Sequence, residues 1–106
     1  MNIVNLTPHT LNIVTPEEGT INVEPSGLVA RVSVTSVEGD PVDGIPVAMT
    51  SYGEVEGLPA PTEDTIFVVS GMVEAQISRS DVYSPGPLLR DEAGKPVGCE
   101  GLKQTL

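Results

Sequence analysis

Apolar and polar residues alternate in short runs along this chain, and proline, glycine and small polar residues break the runs. Alternation with period two predicts strands, because successive side chains of an extended backbone point to opposite faces. Asn2-Ile3-Val4-Asn5 reads as a first strand and Leu11-Asn12-Ile13-Val14 as a second. Between them Pro8 pushes Thr7 out of helical space, so Thr7-Pro8-His9-Thr10 is a turn. Thr15 to Gly19 is a loop containing Pro16. Thr20 to Val23 alternates again, and Glu24-Pro25-Ser26-Gly27 turns the chain. These pieces predict a meander of short antiparallel strands.

Leu28 to Ser36 carries the strongest strand pattern, with Val29, Arg31 and Ser33 on one side and Leu28, Ala30, Val32 and Val34 on the other. Val37 to Gly44 reads as a mobile acidic loop. Ile45 to Val55 reads as a strand or paired strands broken near Gly53, with Pro46 at a strand start or edge. Gly57 to Asp64 contains Pro59 and Pro61 and is irregular. Thr65-Ile66-Phe67-Val68-Val69 is nearly continuous in apolar residues, which predicts a buried central strand. Ser70 is then a good N-cap. Met72, Val73, Gln76 and Ile77 fall at helical spacing, so one short helix is expected near 70–78. Arg79 to Tyr83 is extended, and Ser84-Pro85-Gly86-Pro87 turns. Leu88-Leu89-Arg90 is a short strand, Asp91 to Lys95 a hairpin turn, and Pro96 to Leu102 a last strand. The fold expected is mainly β (α+β): a small antiparallel domain of short strands with one short helix.

Composition narrows this picture. A length of 106 residues fits one domain, 1–106, that can bury a real core. The 11 Gly and 10 Pro keep the elements short. One cysteine, Cys99, allows neither an internal disulfide nor a multi-cysteine zinc site. No run of about 18 apolar residues exists, so no membrane span is expected. Met1-Asn2-Ile3 opens a strand pattern with no basic n-region, so the expected compartment is the cytoplasm. Fifteen acidic residues against five basic ones give a formal charge of −10. Five scattered cations cannot form the broad basic patch that a nucleic-acid polymer needs. Arginines such as Arg31, Arg79 and Arg90, converging from separate elements, could still hold a small anion.

Catalytic readings are poor. His9 is the single histidine and sits in a turn, where hydrogen bonding to local backbone is the ordinary role. No nucleophile motif accompanies it. Cys99, near Gly98 and Gly101 in a strand pattern, reads as a small buried residue. The carboxylate clusters Glu17-Glu18, Glu63-Asp64 and Asp91-Glu92 lie in turns and lack the spacing of a calcium loop. No cofactor or metal is expected.

Binding readings are better. The junction from the buried strand into Ser70-Gly71 presents free N–H groups that suit phosphate or carboxylate, as any strand-to-helix connection does. In Arg79-Ser80-Asp81 the arginine could fork onto a phosphate and the aspartate take ribose hydroxyls, or the two could pair internally. Arg31 is the only charge in its strand pattern and must find an anion, either a protein carboxylate or a ligand. Tyr52, beside Gly53, could stack on a planar base or pack at a sheet edge.

Several short motifs, in order, carry a resemblance. They are Asn5-Leu6-Thr7-Pro8-His9, Pro25-Ser26-Gly27 with Val29-Ala30-Arg31-Val32, Gly44-Ile45-Pro46-Val47, Gly53-Glu54-Val55 and Leu58-Pro59. Val68-Val69-Ser70, Arg79-Ser80-Asp81-Val82, Pro85-Gly86-Pro87, Arg90-Asp91-Glu92 and Gly94 continue the series. The chain resembles small phage proteins, and within them the first-described Thoeris anti-defence proteins. That resemblance implies a sponge that binds cyclic ADP-ribose-type signals without cleaving them, in the host cell cytoplasm. It implies a homo-oligomer (dimer or hexamer) and, in some members, a separate site for cyclic oligonucleotides of CBASS immunity. By resemblance Tyr52 stacks on adenine, Arg31 and Arg79 contact phosphate, and Asp81 contacts ribose. A second family arginine upstream of Arg79 has no basic counterpart in Glu74-Ala75-Gln76. The rival expectation is a small phage structural or interaction module with no small-molecule site.

Overall fold

The computed structural model describes residues 1–105. Among them the chain forms ten strands and one helix in the order β1 (Asn2–Asn5), β2 (Leu11–Thr15), β3 (Gly19–Val23), β4 (Arg31–Glu38), β5 (Ala48–Glu56), β6 (Thr65–Val68), α1 (Gly71–Glu74), β7 (Val82–Pro85), β8 (Leu88–Arg90), β9 (Pro96–Glu100) and β10 (Leu102–Lys103). The mostly β character with one short helix follows the sequence pattern. The strands make one sheet of order β1-β6-β7-β10, a second of order β3-β2-β9-β8, and a separate two-stranded ribbon of β4 and β5.

The apolar run at β6 organises the centre. Phe67 and Val69 pack in one buried cluster with Leu6, Ala30, Val73 and Val82. Val68, pointing the other way, packs in a second cluster with Leu11, Ile13 and Cys99. A strand buried on both faces must have its backbone groups paired on both edges. Here β1 and β7 supply the two edges, and both run parallel to β6. This corrects the expected meander: β1 pairs with β6, and only β2 and β3 form the antiparallel hairpin, from Leu11↔Val23 to Thr15↔Gly19. A further parallel pairing sets β9 beside β2. The predicted last strand divides at Gly101, whose φ of +64° suits glycine. There the chain leaves the second sheet as β9 and joins β7 of the first as β10.

The helix is shorter than its spacing predicted. Ser70 caps it as expected, in extended conformation, its hydroxyl accepting from Val73 N–H at 3.4 Å. After Ala75, whose N–H still bonds Gly71 C=O, the backbone continues in tighter turns, Gln76 N–H to Val73 C=O and Ile77 N–H to Glu74 C=O. Val73 and Ile77 still reach the core, which explains their spacing.

The ribbon also departs from expectation. Leu28 is exposed and the strand begins at Arg31 and runs on through Glu38. Gly53 does not break β5. It sits in a bulge, where the register shifts between Val32↔Val55 and Val34↔Tyr52. The acidic loop continues the ribbon outward, with Gly39 N–H bonded to Val47 C=O and a reciprocal Val42–Ile45 pair at the tip. The radius of gyration is 16.7 Å, against about 13 Å for a compact chain of this length. No described helix is long and apolar enough to cross a membrane.

Candidate functional site

The root of the ribbon lies beside α1, and the space between them is a pocket of about 370 Å³. Arg31, Ser33 and Glu56 line it from the ribbon; Ser70, Met72 and Val73 line it from the strand-to-helix turn. Two of the residues singled out from the sequence, Arg31 and Ser70, therefore meet. Arg31 is exposed and forms no ion pair within the described chain. Its register partner is Glu56, which also borders the pocket, so an anion would sit toward Ser70. The Ser70 oxygen accepts from Val73 N–H and keeps its own proton to donate. A guanidinium and a hydroxyl in a pocket of this volume can hold a phosphate-sized anion.

The other sequence candidates lie elsewhere. Arg79 makes three hydrogen bonds inside the chain. Its Nε donates to Asp81 Oδ1 at 3.0 Å and its Nη2 to Asp81 Oδ2 at 2.7 Å. Its Nη1 donates to Pro59 C=O at 3.0 Å, and its guanidinium carbon lies 5.9 Å from the centroid of the Phe67 ring. The pair closes because the two side chains flank Ser80 and the irregular segment at Pro59 offers a carbonyl where the fork ends. In this structure Arg79 and Asp81 hold each other, the internal pairing that their spacing also allowed. Tyr52 pairs with Val34, which alternation along β4 places on the ribbon face opposite Arg31. Tyr52 lines neither this pocket nor the larger cleft described below. Arg90 donates from Nη1 to Gly94 C=O at 2.8 Å and belongs to the β8–β9 turn. One chain therefore does not assemble the six candidates into one site.

The Arg79 hydrogen bonds hold the Asp81 carboxyl below the usual carboxylate range, against the opposing effect of burial. A carboxylate with a depressed folded pKa stabilises the fold above its unfolded pKa of about 3.9 and loses that contribution as pH falls through the folded value. Asp81→Asn is therefore expected to lower the melting temperature at neutral pH. The gap from the parent should narrow on acidification below about pH 4, read by thermal unfolding across that range.

A larger cleft of about 1110 Å³ opens on the other side of Ser70. The Thr7–Thr10 turn, the Pro85–Pro87 turn, Leu88, the start of β9 and Lys103 line it. Among the described residues no Asp or Glu lines this cleft, although the chain holds fifteen. The His9 carbonyl accepts from Asn5 Nδ2 and from the Thr7 hydroxyl, so the backbone of this residue, not its ring, carries the local hydrogen bonding. Cys99 is 3 % exposed, and burial pushes its thiol up, opposed by a hydrogen bond with the Gly86 backbone. It is the small buried residue its sequence context suggested.

Two organising residues were not singled out from the sequence. Asn5 is buried; its Nδ2 donates to His9 C=O and Val23 C=O, and its Oδ1 accepts from Thr7 N–H and the Thr7 hydroxyl. Asn followed two residues later by Thr-Pro is a turn-forming signature that could have flagged it. Glu74 is also buried; its carboxylate accepts from Thr105 N–H, the Thr105 hydroxyl and Ser84 Oγ. No local signal marks that contact, because Thr105 lies 31 residues away.

In comparisons with known proteins, no protein family, no curated protein and no solved structure matches this chain.

Proposed function

We propose that this chain is a non-catalytic binding protein that sequesters a small phosphorylated signal of the cyclic ADP-ribose type at the Arg31–Ser70 pocket. In this reading it is a phage anti-defence protein acting as a homo-oligomer in the host cytoplasm. One observation carries it. Among the described residues Arg31 is the one arginine without a hydrogen-bonded protein partner, and it shares its pocket with the Ser70 hydroxyl from a separate element. The motif resemblance supports the same role for Arg31. The lone imidazole, His9, borders the other cavity, and among the described residues Glu56 is the one carboxylate at the pocket itself. A base-stacking role for Tyr52 on the same ligand would require the tyrosine of a neighbouring copy, since its own lies on the opposite ribbon face.

The test is a thermal-shift titration with cyclic ADP-ribose isomers and cyclic oligonucleotides, followed by heating the complex and assaying the released ligand. Ligand at 100 times its Kd adds about 2.7 kcal/mol of apparent stability. Release of intact ligand supports a sponge; altered ligand means an enzyme. Arg31→Ala is expected to abolish the shift while leaving the ligand-free melting temperature within about 2 °C, because an exposed side chain without partners contributes little to stability. A second reading, an interaction module without a small-molecule site, is favoured by the closed Arg79–Asp81 pair. No shift with any of these ligands would make it the better reading.

A further inference from the structure

Among the described residues the β4–β5 ribbon has no partner strand. Its strands pair only with each other, and beyond the root nearly every residue is exposed. Six of the eleven exposed large hydrophobic residues among the described ones lie on it: Val34, Val37, Val42, Ile45, Met49 and Tyr52. An isolated two-stranded ribbon is marginal in water, and unpaired edges with apolar side chains invite another chain. The nine residues of β5 extend about 30 Å at the usual rise, so the tip stands well clear of the core.

The tip is shaped rather than loose. Val42 and Ile45 exchange both backbone hydrogen bonds, at 3.0 and 2.8 Å, around Asp43 and Gly44. Both central residues have positive φ, +48° and +78°, the geometry of the tight hairpin turn in which glycine at the second position avoids strain. Two apolar side chains, Val42 at 60 % and Ile45 at 63 % exposure, are thus held side by side at the end of the arm, flanked by Asp40 and Asp43.

The large cleft is the complement of this tip. It is lined by prolines and apolar residues, and its Leu88 and Val97 are exposed in the single chain. Among the described residues Lys103 and His9 border it and no Asp or Glu does. No residue of the arm lines the cleft of its own chain.

We infer that the arm tip of one copy of this chain docks into the acid-free cleft of a second copy, Val42 and Ile45 against Leu88 and Val97, with the tip carboxylates near Lys103 and His9. The occupant is a second copy because both halves of the contact are on this chain and match in apolar character and in charge. Reciprocal exchange gives a two-fold dimer, and head-to-tail exchange gives a ring. The inference names the surfaces of the homo-oligomer expected above and does not depend on the ligand.

The test is the solution mass by light scattering after size exclusion. The parent is expected at a multiple of 11.1 kDa. The Val42→Ser/Ile45→Ser variant and the Lys103→Glu variant are each expected to run as monomers with unchanged circular dichroism, since all three positions are exposed. Pairing Asp40→Lys with Lys103→Glu in one chain should restore the oligomer. An Ile45→Cys chain mixed with a Leu88→Cys chain under oxidation should give a disulfide-linked pair. A monomeric parent, an oligomer that survives the tip variant, or one that survives Lys103→Glu overturns the inference. Loss of ligand binding with the oligomer intact would count against the Arg31 pocket alone.

Discussion

Asn5→Ala is expected to lower the unfolding free energy by about 3 to 4 kcal/mol, the largest effect of any single substitution considered for this protein. The residue is 1 % exposed and satisfies four partners from the start of the chain to the end of β3. Truncation leaves the part-buried carbonyls of His9 and Val23 and both buried donors of Thr7 without it. Each buried group left unpaired costs about 1 to 3 kcal/mol, and partial rescue by the Thr7 hydroxyl keeps the total below the sum. Asn5→Asp is expected to be nearly as damaging. It keeps the acceptor but loses both donors, and it buries a charge with no cation in contact. Asn22→Ala serves as the control. That side chain is exposed, and a change within about 0.5 kcal/mol is expected. Urea unfolding of the three variants reads the result. A loss under 1 kcal/mol for Asn5→Ala would mean that the Thr7–Thr10 turn closes without it.

Glu74→Ala is expected to cost about 2 to 3 kcal/mol and to free the end of the chain. Three donors converge on this buried carboxylate, two of them from Thr105. Gln104 adds a second tie by donating to Ser80 C=O and Val82 C=O. With Glu74 removed, Ser84 and Thr105 lose their acceptor and β10 loses the anchor behind it. Amide hydrogen exchange at 102–105 should then rise far more than exchange at β6. Glu74→Gln should retain part of the stability, since its one carbonyl oxygen still accepts while its amide cannot. Equal loss in both variants, without faster exchange at the chain end, would show that bulk alone matters there.

Asn5 and Glu74 also mark where reading the chain stops. The Asn5-Leu6-Thr7-Pro8-His9 segment was legible as a turn, because Pro8 forbids helix before it. That the Asn5 amide ties this turn to Val23 was not legible, because the contact spans 18 residues. The Arg79–Asp81 pair was readable in both ways, as a ligand fork or as an internal pair, since spacing alone cannot choose. The structure closes it through the carbonyl of Pro59, twenty residues upstream. Arg31 and Ser70 were each legible as anion contacts. Their meeting in one pocket was not, because it depends on how the ribbon root lies against α1.

By itself the sequence determined the character of the elements: short strands with a buried run at β6, a capped turn of helix at Ser70, and tight turns at glycine and proline. These follow from local rules of side-chain alternation, capping and backbone sterics, which act within a few residues. Tertiary structure alone decided which strands pair, and in which sense. β1 lies parallel to β6 because a strand buried on both faces must have both edges filled. It likewise decided that the strongest sequence strand leaves the core as an exposed arm. Alternation specifies two faces but not what covers them, and beyond the root none of the described residues does.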